Sequence, residues 1–96
     1  MSYPSEGEAS RSDIKVYGAH WCGDCRRAEH FFDRHQVPYT SIDVDSDPAA
    51  RDYIRELQNG GRSIPTIVFK DGSILIEPTN TELAQKLGLF RGPGGP

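Results

Sequence analysis

The two cysteines of the chain, Cys22 and Cys25, are separated by two residues. On a helix, residues three apart have Cβ atoms about 5–6 Å from each other. A disulfide needs Cα atoms roughly 4.4–6.8 Å apart. A pair with this spacing at the start of a helix can therefore open and close a disulfide with little backbone movement, and thiol–disulfide exchange is the first chemistry to consider.

The two sulfurs are not equivalent. The helix that contains Cys25 is predicted to begin at or just before Cys22, where unpaired N–H groups and the helix dipole favour negative charge. Cys22 is therefore the expected thiolate nucleophile. Cys25 lies one turn later, on an apolar face with Ala28 and Phe32, and is the predicted resolving thiol that releases the mixed disulfide formed by Cys22.

Two other uses of the pair need consideration. A permanent disulfide would close a very short loop and stabilise the fold little. A metal site needs further ligands. Because each helical residue turns by about 100°, His30 and His35 lie on other sides of the helix than Cys25. We therefore predict no metal site within one chain. An iron–sulfur cluster bridged between two chains through Cys22 stays an alternative, because its other ligands could be external.

An acid, Asp24, lies between the two cysteines. Its charge opposes a thiolate at Cys22 by on the order of 1 kcal/mol, for a separation of roughly 7 Å and an effective dielectric constant of about 40. The positive charges of Arg26 and Arg27 oppose this effect, and salt screens the effect of Asp24 as well as that of the arginines. We expect Asp24 to tune Cys22 into a milder nucleophile; the alternative is a solvated carboxylate that only aids solubility.

Length and composition exclude several other classes of protein. The 96 residues suit one domain, and a net charge of −3 without a basic stripe argues against nucleic-acid binding. No apolar run approaches the ~20 residues of a membrane span, and the N-terminus lacks the apolar core of a signal peptide. We therefore expect a cytoplasmic protein without membrane binding. Polar ends predict a disordered leader over 1–12 and a flexible tail over 91–96, which leaves a domain over 13–90.

The hydrophobic period changes repeatedly along this domain and predicts alternating strands and helices. Strands are expected at 14–18 and 39–45, and two further apolar runs flank the turn signal Asp71-Gly72. A helical crossover between the first two strands implies parallel pairing, whereas a hairpin is antiparallel. The predicted order is β-α-β-α-β-β-α, an α/β fold with a mixed four-stranded sheet and three helices on its two faces.

Local signals also predict where the helices begin and end. Val37-Pro38 is expected to end the first helix. The second starts with Asp47 as N-cap and Pro48 at the first helical position. The third starts with a capping box and ends at a glycine, and the aromatic residues of the helices and strands are assigned to the core. These residues are Thr79 and Glu82 for the box, Gly88 for the end, and Phe31, Phe32, Tyr53 and Phe69 for the core.

The motif WCGDC before the first helix and the motif SIPT before the hairpin resemble those of the glutaredoxins, which have the thioredoxin fold. The stretch NGGRSIPTIVFKDGSILIEPTNTEL is especially similar to the mycoredoxins, the glutaredoxin-like proteins of actinobacteria. The resemblance covers residues 14–89. It implies a thiol–disulfide oxidoreductase that reduces mixed disulfides, without a tightly bound cofactor and with mycothiol or glutathione as cosubstrate. Its partners would be this small thiol and disulfide-containing proteins. The sequence shows no spare apolar patch for a dimer interface, so we expect a monomer.

The resemblance also implies roles for single residues. Cys22 matches the family's nucleophile and Cys25 its resolving cysteine. Pro65 matches the cis-proline of the family, and the backbone of Ile64 would then pair with a bound thiol peptide like an added strand. Trp21 is predicted to cover the substrate groove, with packing against the helix as the alternative.

The small thiol itself has its own candidate contacts. Before the last helix, Thr79 and Asn80 match the place where glutaredoxins hold a carboxylate of the small thiol, with plain helix capping as the alternative. Many glutaredoxins carry Lys three residues before the nucleophile, and here that residue is Ala19. Arg62 is the candidate substitute, or else a solvated loop charge.

Two departures from the family pattern keep other functions open. The cysteines enclose Gly-Asp where Pro-Tyr is familiar, and the usual Gly-Gly-Cys/Ser-Asp element is absent. These differences favour mycothiol or point away from any small thiol. One alternative is a thioredoxin-like protein-disulfide reductase that needs both cysteines and receives electrons from a flavin reductase. The other is a dimeric module that binds an iron–sulfur cluster.

Overall fold

The computed structural model of the protein describes residues 14–89, so the predicted leader at 1–12 and tail at 91–96 lie outside the described residues. The elements are β1 (Lys15–Gly18), α1 (Gly23–Arg34), β2 (Thr40–Asp43), α2 (Pro48–Leu57), β3 (Thr66–Val68), β4 (Ile74–Ile76) and α3 (Asn80–Leu87). Their order is the predicted one. Within the described part of the chain, every helix is too short or too polar to cross a lipid bilayer.

The four strands form one mixed sheet in the order β2-β1-β3-β4. β1 pairs in parallel with β2, because α1 carries the chain back between them. β3 is antiparallel to both of its neighbours, β1 and β4. The predicted mixed four-stranded sheet is confirmed, and β1 and β3 are its two central strands.

The alternation of side chains along β1 divides the core in two. Val16 faces a cluster formed with α1 and α3, and Tyr17 faces a second cluster formed with α2. The first cluster contains Ala28, Phe31, Phe32, Ile67, Phe69 and Leu83, and the second contains Val44, Ala50 and Ile54. Helices therefore cover both faces of the sheet, as predicted. The prediction that Tyr53 belongs to the core was wrong. Tyr53 is 39% exposed, and its ring contacts that of Tyr17 with centroids 5.5 Å apart.

The helix ends follow the local signals in most cases. The carboxylate of Asp47 accepts a hydrogen bond from the backbone N–H of Ala50 at 3.1 Å and caps α2 as predicted. α3 ends at Gly88, whose φ of 74° is left-handed. α1, however, ends at Arg34, before the predicted Val37-Pro38, because Gln36 already adopts a left-handed φ of 58°. The helix does end before the proline, but Val37-Pro38 lies beyond its last turn and does not mark its end.

The predicted hairpin joins β3 to β4. Its turn is closed by a 2.9 Å hydrogen bond from the backbone N–H of Gly72 to the carbonyl oxygen of Phe69. Gly72 has a φ of 88°, which a residue with a Cβ rarely adopts. The ammonium group of Lys86 on α3 lies 2.7 Å from the carboxylate of Asp71, so the turn is also held against the last helix.

A small polar network is buried where the chain passes from α2 to β3. Thr66 is fully buried, and its hydroxyl donates to the carbonyl oxygen of Ser63 at 2.7 Å. The amide nitrogen of Gln58 donates to the Thr66 hydroxyl at 2.8 Å and to the same carbonyl at 3.0 Å. The backbone N–H of Ser63 returns a 3.0 Å bond to the Gln58 side-chain oxygen. This network holds the loop that leads to Pro65.

Replacement of Thr66 by valine keeps the side-chain shape but removes the hydroxyl, which is both donor and acceptor in this network. We expect Thr66→Val to lower the free energy of unfolding by about 1–3 kcal/mol, the cost of leaving buried polar groups unpaired. Denaturant unfolding measures this quantity. Thr66→Ser is the matched control, since it keeps the hydroxyl and loses only a methyl group. Equal losses for the two variants would contradict a role for the network.

Candidate active site

Cys22 is the N-cap of α1. Its backbone is extended, with φ −88° and ψ 112°, and its sulfur accepts a hydrogen bond from the backbone N–H of Cys25 at 3.3 Å. A sulfur therefore occupies the place where helices usually have a hydroxyl or carboxylate oxygen. Cys22 is partly exposed, and the two cysteines are not joined by a disulfide. The predicted position of Cys22 at the start of the helix is confirmed.

Cys25 is almost fully buried, with 1% of its surface exposed. Burial raises the pKa of the Cys25 thiol to about 12, and a hydrogen bond with Cys22 adds to the rise, while the backbone of Ala19 acts against it. Cys25 is therefore a protonated thiol near neutral pH. The structure thus contains one partly exposed sulfur at a helix N-terminus and one sheltered S–H beside it.

Gly18, the last residue of β1, makes the burial of Cys25 geometrically feasible. A Cβ atom on residue 18 would lie 2.6 Å from the Cys25 sulfur and 3.0 Å from the Cys25 Cβ. The sulfur occupies the space that any other side chain would need. Gly18 is not among the site residues predicted from the sequence. Its signal was a glycine at the end of a strand, which often marks a close approach of another group.

The register of the sheet brings three segments to one edge. Tyr17 on β1 pairs with Thr66 on β3, so 18–19 continue alongside 64–65. The backbone N–H of Glu77 donates to the carbonyl oxygen of Pro65 at 2.8 Å, which places the segment before α3 next to the same loop. The cysteine loop, Ile64-Pro65 and the start of α3 therefore meet, as the predicted site requires.

The loop before β3 has the backbone that was predicted. The Ile64–Pro65 peptide bond is cis, and Pro65 is buried. No hydrogen bond within the described part of the chain involves the backbone N–H or C=O of Ile64. Both groups therefore remain available to a bound molecule.

Arg27 connects the cysteine loop with α3. One guanidinium nitrogen donates to the side-chain oxygen of Asn80 at 2.8 Å, and the other lies 3.5 Å from the carboxylate of Asp24. Arg27 therefore partly neutralises the acid that stands between the cysteines. Arg27 also occupies the side-chain oxygen of Asn80, so the amide N–H groups of Asn80 are the donors that remain for other partners. The long-range contact to Asn80 was not predicted.

The N-terminus of α3 is closed by its own side chains. The Thr79 hydroxyl accepts a hydrogen bond from the backbone N–H of Glu82 at 3.1 Å, and the Glu82 carboxylate accepts one from the backbone N–H of Thr79 at 2.8 Å. The predicted capping box is confirmed. A carboxylate thus already occupies the helix N-terminus, where a ligand carboxylate would be expected to bind.

Trp21 and Arg62 lie at the outside of the site. The Trp21 side chain is 65% exposed, so simple packing against the helix does not describe it. Its indole N–H donates to the carboxylate of Asp45 at 2.6 Å, a contact that fixes the ring beside Cys22. Arg62 is exposed and forms no ion pair within residues 14–89. Within the same residues, no group of three His, Cys, Asp or Glu side chains is arranged to hold a metal ion.

Comparison with known proteins agrees with this geometry. A model of the glutaredoxin family matches residues 14–74. The chain belongs to the glutaredoxin family. It is therefore a thiol–disulfide oxidoreductase, and the resemblance drawn from WCGDC and SIPT is confirmed. Glutaredoxins use glutathione or mycothiol as cosubstrate and act on disulfides.

Individual relatives support the same assignment. A glutaredoxin-type protein of Mycobacterium tuberculosis is 31% identical over 74 residues, which are 77% of this chain and 88% of the relative. Mycoredoxin 1 of Corynebacterium glutamicum is 30% identical over 76 residues, or 79% of this chain and 94% of the relative. This glutaredoxin is thus similar to a named mycoredoxin over nearly the whole length of that protein.

Solved structures confirm the thioredoxin fold. The thioredoxin-like protein BC3987 is 27% identical, with a TM-score of 0.65 over 80% of this chain and 99% of that chain. A glutaredoxin from Archaeoglobus fulgidus is 17% identical and has a TM-score of 0.69 over 91% of this chain and 98% of its own. At that identity the second likeness concerns the fold alone.

Replacement of Gly18 by alanine places a methyl group on the Cys25 sulfur. We expect Gly18→Ala to lower the free energy of unfolding by about 1–3 kcal/mol, as overpacked core sites do. We also expect Cys25 to react faster with iodoacetamide, because it is pushed toward solvent. Gly23→Ala is the matched control, since no atom lies within 4 Å of a Cβ there. Similar losses in both variants would show that the contact with Cys25 is unimportant.

Replacement of Asp24 by asparagine removes the negative charge beside Cys22. In a Cys25→Ala background, we expect the pH midpoint of the ultraviolet thiolate absorbance to fall by up to about one unit, and by less where Arg27 already offsets the charge. Asp52→Asn on α2 provides the control for a remote carboxylate. A midpoint that stays constant or rises would contradict the tuning role of Asp24.

Proposed function

We propose that this glutaredoxin reduces mixed disulfides between proteins and a small thiol, with Cys22 as nucleophile. The observation that carries the proposal is the unequal environment of the two sulfurs, one partly exposed at a helix N-terminus and one 1% exposed. The Cys22 thiolate attacks the sulfur that belongs to the small thiol. A Cys22–small-thiol disulfide forms, and the protein substrate leaves as its thiolate and takes up a proton.

Two routes then regenerate the Cys22 thiolate. A second small thiol can attack the mixed disulfide and leave as the oxidised small-thiol dimer. Alternatively, Cys25 loses its proton, attacks the Cys22 sulfur and expels the small thiol, which leaves a Cys22–Cys25 disulfide. Burial, the first cause of the raised pKa of the Cys25 thiol, disfavours its thiolate. We therefore infer that the first route predominates and that Cys25 mainly donates a hydrogen bond to the Cys22 sulfur.

We propose mycothiol as the preferred cosubstrate. Glutathione carries two carboxylates, whereas mycothiol is a cysteinyl sugar without any. In this chain the usual carboxylate positions are altered: Glu82 already caps α3, and Ala19 stands where a lysine is common. The similarity to Mycoredoxin 1 supports the same choice. The free amide donors of Asn80 would then meet sugar hydroxyls rather than a carboxylate.

The remaining predicted residues would form the walls of this site. The free backbone groups of Ile64 would hydrogen-bond to the cysteinyl part of the bound molecule, with Pro65 keeping the loop in place. The fixed ring of Trp21 would cover its apolar portion. Arg62 would contact an oxygen of the protein substrate or thiol. Thr79 would act indirectly, by capping the helix that carries Asn80.

We place this chemistry in the cytoplasm, where thiol pools keep such cysteines reduced. The protein would act as a monomer, because the proposed steps use residues of one chain only. A flavin disulfide reductase would enter the cycle only by reducing the oxidised small thiol.

The assay is reduction of a peptide–mycothiol and a peptide–glutathione mixed disulfide, each with its own thiol as donor, by wild type, Cys25→Ala and Cys22→Ser. We expect Cys25→Ala to keep activity of the same order as wild type and Cys22→Ser to lose it. We expect mycothiol to be preferred by about tenfold or more, the effect of about 1.4 kcal/mol of binding.

Other results would identify a different function. Complete loss of activity in Cys25→Ala would indicate a thioredoxin-like reductase that needs both cysteines. A coloured, iron-containing dimer after anaerobic purification would indicate an iron–sulfur module. Equal rates with both thiols would leave the exchange chemistry in place but contradict the preference for mycothiol.

A further inference from the structure

A groove of about 720 Å³ runs between α1 and the start of α3. Gly23, the neighbour of Cys22, forms the end that lies next to the active site. The remaining walls carry Arg26, Arg27, His30, Asp33, Arg34 and Asn80. Among these residues, His30, Asp33 and Arg34 have no part in the exchange steps proposed above.

The groove is basic although the chain is acidic. Its walls hold three arginines and one aspartate, whereas the whole chain has a net charge of −3. The Arg26 guanidinium donates to the carbonyl oxygen of His20 at 3.0 Å, which does not neutralise its charge. Arg34 forms no ion pair within residues 14–89. The single acid among the wall residues is Asp33, whose charge contributes to the raised pKa of the Tyr39 hydroxyl after desolvation and the charge of Glu29.

The charge changes sign on the other side of Cys22. There Trp21 is bound to Asp45, whose own backbone N–H donates to the carboxylate of Asp43 at 2.9 Å. Asp47 follows as the cap of α2. A ligand bound at Cys22 thus meets a positive wall toward α3 and a negative one toward α2. An acidic segment that leaves Cys22 is consequently directed into the arginine groove.

The length of the groove indicates the size of its occupant. Arg34 lies twelve residues after Cys22, which corresponds to about 18 Å along the helix axis. A small thiol bound to Cys22 does not extend over that distance. An extended peptide advances about 3.3 Å per residue, so about five residues span the interval. The occupant that fits is therefore a polypeptide.

We propose that this groove docks an acidic segment of the disulfide-bearing protein substrate, with carboxylates about two and about five residues from the substrate cysteine. The nearer carboxylate meets Arg26, since Arg27 already contacts Asp24 and Asn80, and the farther one meets Arg34. The inference rests on the proposed function only in placing the mixed disulfide of the substrate next to Cys22. Charge pairing of this kind raises the association rate, and salt screens it.

The test compares two peptide mixed disulfides of equal length, one with Glu and one with Gln at the two positions. We expect wild type at low salt to prefer the Glu peptide by about fivefold or more in kcat/KM, and the preference to fall as salt is added. Arg34→Gln should remove most of the preference while rates on the Gln peptide and on a mixed disulfide of two small thiols stay unchanged. Arg55→Gln, an exposed arginine on α2, should behave like wild type.

A second measurement separates docking from chemistry. Fluorescence anisotropy with Ser in place of the peptide cysteine reports binding without any exchange step, and Arg34→Gln should weaken binding of the Glu peptide severalfold. Equal binding of Glu and Gln peptides by wild type would overturn the proposal even in an active enzyme. An equal loss of all substrates in Arg34→Gln would also overturn it. Selective binding by a protein without exchange activity would refute the proposed function and leave the docking surface standing.

Discussion

The contact between the Cys25 sulfur and the end of β1 sets the geometry of the whole site. It exists because residue 18 has no side chain, so that the first turn of α1 can lie directly against the sheet. Cys25 is consequently buried, and the N-cap position three residues earlier falls outside the core at the rim of the sheet. The difference between the two sulfurs is therefore a consequence of packing, and no charged side chain is needed to create it.

The packing also determines which protons move easily. A thiol that is removed from water resists ionisation, since its thiolate loses hydration, and the pKa of Cys25 rises accordingly. The sulfur of Cys22 remains in contact with solvent and with the backbone N–H of Cys25. Arg27 links the two sides of the site, because it lies 3.5 Å from the Asp24 carboxylate and donates to the side-chain oxygen of Asn80. The acid between the cysteines is thus connected to the start of α3.

The sequence predicts correctly most of the features that depend on neighbours along the chain. The caps at Asp47 and at Thr79 with Glu82 are hydrogen bonds over three residues, and the spacing alone predicts them. The contacts that complete the site are of another kind. Arg27 and Asn80 are 53 positions apart, and Trp21 and Asp45 are 24 apart, so these pairs depend on how distant elements pack together, which no local pattern encodes. Tyr53 shows the same limit: an aromatic residue of a helix is most simply assigned to the core, but this one is 39% exposed.

The exchange reaction itself makes few demands on the fold, namely an accessible sulfur, a sheltered S–H and a loop with free backbone groups. Selectivity must then come from the residues around the exchange centre. In this protein the charges of those residues differ in sign on the two sides of Cys22. A carboxylate that caps α3 from within the chain removes one anion site, while three arginines create another along α1. Under the two proposals, the small thiol would use the start of α3 and the acidic segment would use the arginines farther along α1, with Asn80 at the boundary between them. A single exchange centre would in this way bind both halves of a mixed disulfide on one side of Cys22, with Arg34 reached only by the longer half.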